Sequence, residues 1–174
     1  MYEIPETLFA TVGATPEGQA WLAELPNRIA ELSRAWALRV GAPIETEVSC
    51  SWLAPCETSE GEQTVLKLGY PHMEARDEID GLSFWDGDPT VRLLRYHHGN
   101  NGMLLERCVP GTSLRDEDEE TQDEVIAALL RRLWRRPPPD HAFRPLAEMI
   151  EGWALEALDA AGRWPDRAPD AVSS

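Results

Sequence analysis

One lysine, Lys67, stands in the otherwise apolar run Val65-Leu66-Lys67-Leu68, and two glutamates, Glu74 and Glu78, follow it one helical turn apart. Residues four apart on a helix share a face, so both carboxylates can look back at one strand. Placing an ammonium among apolar strand residues costs on the order of several kcal/mol unless an anion pairs with it. A strand lysine held by a helix carboxylate is an arrangement that can grip the α- and β-phosphates of ATP. The competing reading is an edge-strand lysine whose stem snorkels to water. Spacing alone leaves both open.

Other chemistries lack their residues. The chain has no Gly-x-x-x-x-Gly-Lys-Ser/Thr run, no Gly-x-Gly-x-x-Gly and no His-Glu-x-x-His. It has no Gly-x-Ser-x-Gly elbow. Cys50, Cys56 and Cys108 are odd in number, and the spacing of the first two is not that of a zinc knuckle. Residues 1–10 lack a basic region and an apolar run, and no stretch approaches the roughly 18 apolar residues of a membrane span. A cytoplasmic chain with reduced thiols is expected.

The formal net charge of −15 argues against nucleic acid, whose binding rests on neutralising phosphates with Lys and Arg. An acidic surface keeps the chain soluble and favours the approach of a cationic small molecule.

The elements that must position Lys67 can be read from breakers and periodicity. Thr15-Pro16-Glu17 starts a helix carrying Trp21, Leu22 and Leu25. Pro26 is expected to interrupt it. A second run with Ile29, Leu32 and Trp36 ends near Gly41-Ala42-Pro43. Strands are predicted at Ile44 to Cys50, Ser51 to Cys56 and Thr64 to Leu68, the last two joined by a Gly-containing turn. A helix fits His72 to Trp85, with Ile79, Leu82 and Trp85 on its inner face, and Asp86-Gly87-Asp88-Pro89 closes it. Val91 to Tyr96 and Met103 to Cys108 read as strands around the turn His98-Gly99-Asn100-Asn101-Gly102. Thr121 to Glu124 is a capping box that opens a helix ending in an arginine cluster before Pro137-Pro138-Pro139. A last helix covers about Pro145 to Ala161, and a fraying tail, Trp164 to Ser174, is expected after it. The seven tryptophans fall mostly at helical core positions and are read as packing. Five strands joined mainly by hairpins, with one helix inserted after the third, predict an α+β fold with an antiparallel sheet.

Several segments together resemble one family. They are Val65-Leu66-Lys67-Leu68-Gly69, Pro71 to Glu78, Trp85-Asp86-Gly87-Asp88, Val91-Arg92-Leu93-Leu94 and Met103-Leu104-Leu105-Glu106-Arg107. Trp21 to Pro26, Cys50 to Pro55, Pro110 to Leu114 and Leu129 to Leu133 extend the likeness over most of the chain. The sequence is similar to the aminoglycoside/hydroxyurea phosphotransferases, small-molecule kinases of the streptomycin 6-kinase type. The resemblance implies the N-lobe of a protein-kinase-like fold, in the order helical extension (1–43), sheet and helix (44–109), then the first helices of a truncated C-lobe (110–174). It implies that Lys67 binds phosphates, with Glu78 as its partner and Glu74 as the alternative. Leu105 to Cys108 would be the hinge, where the Glu106 carbonyl and the Cys108 amide meet adenine. The implied cofactors are ATP and Mg²⁺, and the implied acceptor is a hydroxyl of a small, cationic molecule.

The sequence departs from the family in two places. The turn at Glu47-Val48-Ser49-Cys50-Ser51, where phosphates would be covered, has no glycine. None of His72, His97, His98 and His141 begins a His-x-Asp segment, and the metal-binding residues that follow such a segment in kinases have no counterpart before Ser174. The chain alone is therefore expected to be inactive, with no catalytic residue and no metal ligand of its own. The second reading is a non-catalytic interaction or regulatory module that forms a homodimer or docks another protein through its exposed cleft. The third is a gene remnant.

Overall fold

The computed structural model describes residues 2–45, 49–72 and 75–162. Two helices come first, α1 (Glu6–Val12) and α2 (Pro16–Ala35). Strands β1 (Arg39–Val40), β2 (Ser51–Glu57) and β3 (Gln63–Gly69) follow, then helix α3 (Ala75–Trp85). β4 (Leu93–His97) and β5 (Gly102–Glu106) complete a five-stranded sheet in the order β1-β2-β3-β5-β4, with every neighbouring pair antiparallel. Helices α4 (Glu119–Leu133) and α5 (Leu146–Ala161) end the described chain. Mixed helices with one five-stranded antiparallel sheet are consistent with a kinase-like N-lobe.

Alternation along the strands gives the sheet two different faces. Trp52, Ala54 and Cys56 of β2 and Leu66 and Leu68 of β3 are buried on one face, in a cluster with Trp21, Leu22, Leu25, Ile29 and Leu32 of α2. Each buried leucine or isoleucine among them contributes about 1.5–3 kcal/mol by leaving water. The other face presents Val65, Met103 and Leu105, which pack with Ile79 and Leu82 of α3. Lys67 pairs across the ladder with Leu53 and Met103, and alternation puts it on this second face. The helical extension thus backs the sheet, and α3 covers the face that carries the lysine.

The extension is tied down by specific groups. The Thr15 hydroxyl caps α2 by accepting from the Gly18 N–H at 3.1 Å, and Pro16 occupies the first turn. Gly18 lets α1 approach, because a Cβ there would lie 1.8 Å from the Val12 carbonyl oxygen. Trp52 Nε1 donates to the Glu3 carbonyl at 3.0 Å. α1 itself was not anticipated; it is a seven-residue helix with no side-chain cap, held by burial of Leu8 and Val12.

Five sequence expectations are corrected. Pro26 does not break α2, which runs continuously over 20 residues. Pro26 costs one backbone hydrogen bond, while Leu25, Ile29 and Leu32 on either side of it are buried and hold the helix. The helix stops at Ala35, with Ala37 left-handed at φ 52° and the Leu38 N–H reaching the Ser33 carbonyl at 2.8 Å. The first strand is Arg39–Val40; of the strand expected over Ile44 to Cys50, the described residues 44, 45, 49 and 50 are not in a strand, and 46–48 lie outside the described residues. The chain stays beside β2 as far as Ile44 through the Gly41 and Ile44 amides, but Pro43 has no N–H for a regular ladder. The cap of α4 is Asp118, whose carboxylate accepts the Thr121 N–H at 3.0 Å and the Thr121 hydroxyl at 2.8 Å. The tryptophans divide: Trp21 and Trp52 are buried, Trp52 on a strand, whereas Trp134 is 77% exposed on α4's end.

By contacts the chain divides into two compact units, 1–141 and 142–174. The turn between β4 and β5 is the anticipated one, with His98–Asn100 in a short 3-10 turn and Asn101 left-handed. Among the described residues none after Leu105 is buried. Ile126 and Leu130 of α4 and its capping residue Trp134 are exposed, as are Leu146, Ile150, Trp153, Leu155 and Leu158 of α5. No described helix is long and apolar enough to cross a membrane. The tail Trp164 to Ser174 lies outside the described residues.

Candidate functional site

β3 delivers Lys67 to the α3 side because its neighbours Leu66 and Leu68 are committed to the opposite core. α3 delivers Glu78 because Ile79, the next residue, is buried against Met103 and Leu105 and fixes the helix rotation. The Lys67 ammonium donates to Glu78 Oε1 at 2.5 Å. The side chains are 18% and 33% exposed, so the pair is desolvated on one side and open to water on the other. With one N–H given to Glu78, the ammonium has donors left for an anion. Among the described residues Glu78 is the carboxylate on the lysine; Glu74 lies outside them.

Between β1 and β2, residues 46–48 lie outside the described residues, Glu47 and Val48 of the expected phosphate-covering turn among them. Its foot is braced from within. The Ser49 hydroxyl donates to the Ser51 carbonyl at 2.9 Å and accepts from the Ser51 amide at 3.0 Å. Thr11 of α1 donates its hydroxyl to the Ser49 carbonyl at 2.6 Å.

At the far end of β5, the Arg92 amide donates to Glu106 Oε1 at 2.7 Å, and the Glu106 amide donates to the Arg92 carbonyl at 3.0 Å. The Glu106 carboxylate is therefore engaged with backbone. Cys108 is exposed. Gly111, at φ 71°, closes the segment where a Cβ would meet the Cys108 carbonyl oxygen at 2.9 Å. A polar row that the sequence did not suggest crosses the sheet here. Arg39 pairs with Glu57 at 3.1 Å, Gln63 donates to Glu57 at 3.3 Å, and Arg107 donates to Gln63 at 3.4 Å. An open pocket of about 270 Å³ lies among these residues and Pro55. It sits four residues along β3 from Lys67, roughly 13 Å by strand rise, so the ammonium does not line it.

Two further contacts went unread in the sequence. Trp85 Nε1 donates to the Leu133 carbonyl at 3.1 Å. Asp88 accepts from Arg132 and Arg135, and these hydrogen bonds, Arg132 foremost, hold its carboxyl below the usual value of 3.8. The arginine cluster was legible as a helix-end feature; its partner was not. Burial pushes the Cys56 thiol up to about 11.

The family model for aminoglycoside/hydroxyurea antibiotic resistance kinases matches residues 35–171. The chain belongs to that family. It is 38% identical over 165 residues to a streptomycin 6-kinase of Streptomyces glaucescens, an alignment covering 92% of this chain and 52% of that protein. It is 34% identical over 152 residues to a hydroxyurea phosphotransferase of Kitasatospora aureofaciens, covering 86% and 44%. A streptomycin 6-kinase of Streptomyces griseus is 34% identical over 146 residues, covering 83% and 47%. The chain spans about half the length of these curated relatives. No solved structure matches it.

Proposed function

We propose that this chain carries the nucleotide-holding part of an ATP-dependent phosphotransferase acting on a hydroxyl of a small polar molecule of the aminoglycoside or hydroxyurea type. The observation that carries the reading is the Lys67–Glu78 pair, presented by a strand and a helix on the α3 face of the sheet. In this reading residues 1–43 form the supporting extension, 44–109 the nucleotide lobe, and 110–174 the start of the second lobe.

Bound ATP would supply the phosphoryl group, with Mg²⁺ neutralising its charge. This chain's residues do the holding. Lys67 Nζ donates to the α- and β-phosphates while Glu78 keeps the ammonium in place. The Glu106 carbonyl and the Cys108 amide receive the adenine edge. The catalytic aspartate and the Mg²⁺ ligands belong to the part of the relatives' length that this chain does not span. By itself the chain binds without turnover, since the positioned base and the metal supply most of the catalysis in this chemistry. The acidic surface favours a cationic acceptor, and the compartment is the cytoplasm, where Cys50, Cys56 and Cys108 stay reduced.

The test is isothermal titration of the purified chain with ATP and Mg²⁺ beside Lys67→Ala. Binding in the millimolar range or tighter that Lys67→Ala abolishes is expected. A folded chain that binds no ATP, or binds it equally well with Lys67→Ala, refutes the site.

A second reading is favoured by the exposed apolar side chains of α4 and α5. Apolar residues left in water mark a contact surface, so the chain would serve as a kinase-like interaction or regulatory module. Light scattering that finds a homodimer, together with no ATP binding, selects this reading over the first. A monomer that neither associates nor binds ATP leaves a gene remnant.

A further inference from the structure

Three contacts among the described residues bear on the setting of α3. Near its start Glu78 grips Lys67. In its middle Ile79 and Leu82 pack against Met103, Leu105 and Val65. At its end Trp85 donates its indole N–H to the carbonyl of Leu133, the last residue of α4. The same carbonyl accepts the Arg135 amide at 2.7 Å, so the indole adds a second donor at the end of α4 while it anchors α3.

The turn after α3 adds a second grip on the same helix end. Asp86 and Gly87 are both left-handed, at φ 46° and 78°, and the Asp88 amide returns to the Trp85 carbonyl at 2.9 Å. This folds Asp88 back so that its two carboxylate oxygens take Arg132 and Arg135 separately. Exposed ion pairs add little to stability. Their effect here is geometric: an indole N–H and two guanidinium groups fix one helix end against another.

Glu78 and Trp85 are seven residues apart, close to two full turns, so they lie on one side of α3 roughly 10 Å apart along its axis. The packed middle residues lie between them. Loosening the α4 end would let the helix tilt about Ile79 and Leu82 and draw Glu78 off the lysine.

We propose that α3 is a lever, and that Trp85 and Asp88 are positioning residues through which α4 sets the Lys67–Glu78 pair. The consequence for nucleotide rests on the function proposed above: movement of the segment after the hinge would be felt at the phosphate-holding lysine. The lever itself does not rest on it.

Lys67 is the one lysine in the sequence, so protein made with ¹³C,¹⁵N-lysine gives a single lysine side-chain signal. Glu78→Gln marks where that signal goes when the pair is broken. Trp85→Phe removes the indole N–H and keeps an aromatic ring, and Asp88→Asn changes an exposed side chain, so both report on a folded protein. The expected result is that each moves the signal toward the Glu78→Gln position, that Asp88→Glu restores it, and that ATP affinity falls several-fold in step. A native-position signal in both Trp85→Phe and Asp88→Asn, while Glu78→Gln is displaced, overturns the lever. A Glu78→Gln signal that does not move also overturns it, because the pair would then be absent in solution. Displaced signals in a protein that binds no ATP uphold the lever and reject the proposed function.

Discussion

Removing the Glu78 carboxylate should cost more than removing the lysine it holds. At 2.5 Å and an effective dielectric constant of about 20, the Lys67–Glu78 attraction is ~6–7 kcal/mol before desolvation and ordering are subtracted. Exposed pairs retain about 0–1 kcal/mol after those costs, and breaking a buried pair by deleting one partner costs about 3–5 kcal/mol. At 18% and 33% exposure the present pair falls between these limits. Glu78→Ala strands the ammonium beside Leu53 and Met103 and should cost about 2 kcal/mol. Lys67→Met keeps an aliphatic stem in the same place and leaves a carboxylate that can reach water, for a cost of under about 1 kcal/mol. The double variant should match Lys67→Met, not the sum of the two. Urea unfolding followed by fluorescence and circular dichroism reads these values, and the Glu78→Ala melting point should fall by about 4–8 °C. An unchanged urea midpoint for Glu78→Ala, or an equal loss for Lys67→Met, would show that the lysine is not confined as described.

Gly18→Ala should lower stability by about 2–3 kcal/mol in a thermal melt, although alanine ordinarily favours a helix by up to about 1 kcal/mol, because its Cβ would collide with the Val12 carbonyl. A stabilised Gly18→Ala would show that α1 does not pack on α2 in this way. At pH 8 a thiol titrating at about 11 stays protonated, so a disulfide reagent should label exposed Cys50 and Cys108 in the folded protein and reach Cys56 only in denaturant. Rapid native labelling of all three would contradict the burial of Cys56. The Asp118 carboxyl is held below its usual 3.8, first by the Thr121 amide, so its stabilising effect is present above the unfolded value and lost as pH falls through the lowered one. Asp118→Ala should therefore melt below the parent at pH 7, with the gap closing in acid, and a gap that persists at low pH would refute the cap.

The α+β class, the antiparallel sheet and the helix inserted after β3 were legible because Gly and Pro punctuation brackets short β-rich runs. Lys67 was legible as a charge in an apolar strand, and Glu78 as a carboxylate at helical spacing after it. Neither α1 nor the continuity of α2 was, because both depend on burial against a sheet formed later in the chain. Pro26 and Pro43 show the difference. One proline is overridden by Leu25 and Ile29 in the core, while the other, without such flanks, limits the ladder of β1. Thr121 to Glu124 matched a capping pattern, yet a carboxylate three residues earlier accepts both Thr121 donors and wins. The Trp85 and Asp88 contacts span 48 and 44–47 residues, a range over which local spacing carries no signal.

That no described residue after Leu105 is buried also has a meaning in time. A ribosome releases the helical extension first, but Leu8, Val12 and the α2 stripe have nothing to cover until β2 and β3 emerge. Met103 and Leu105 then close the second cluster, and every buried side chain among the described residues is available. The sandwich of extension, sheet and α3 can therefore form on the nascent chain while α4 and α5 are still being made. α4 and α5 then emerge beside a sheet whose two clusters are already closed.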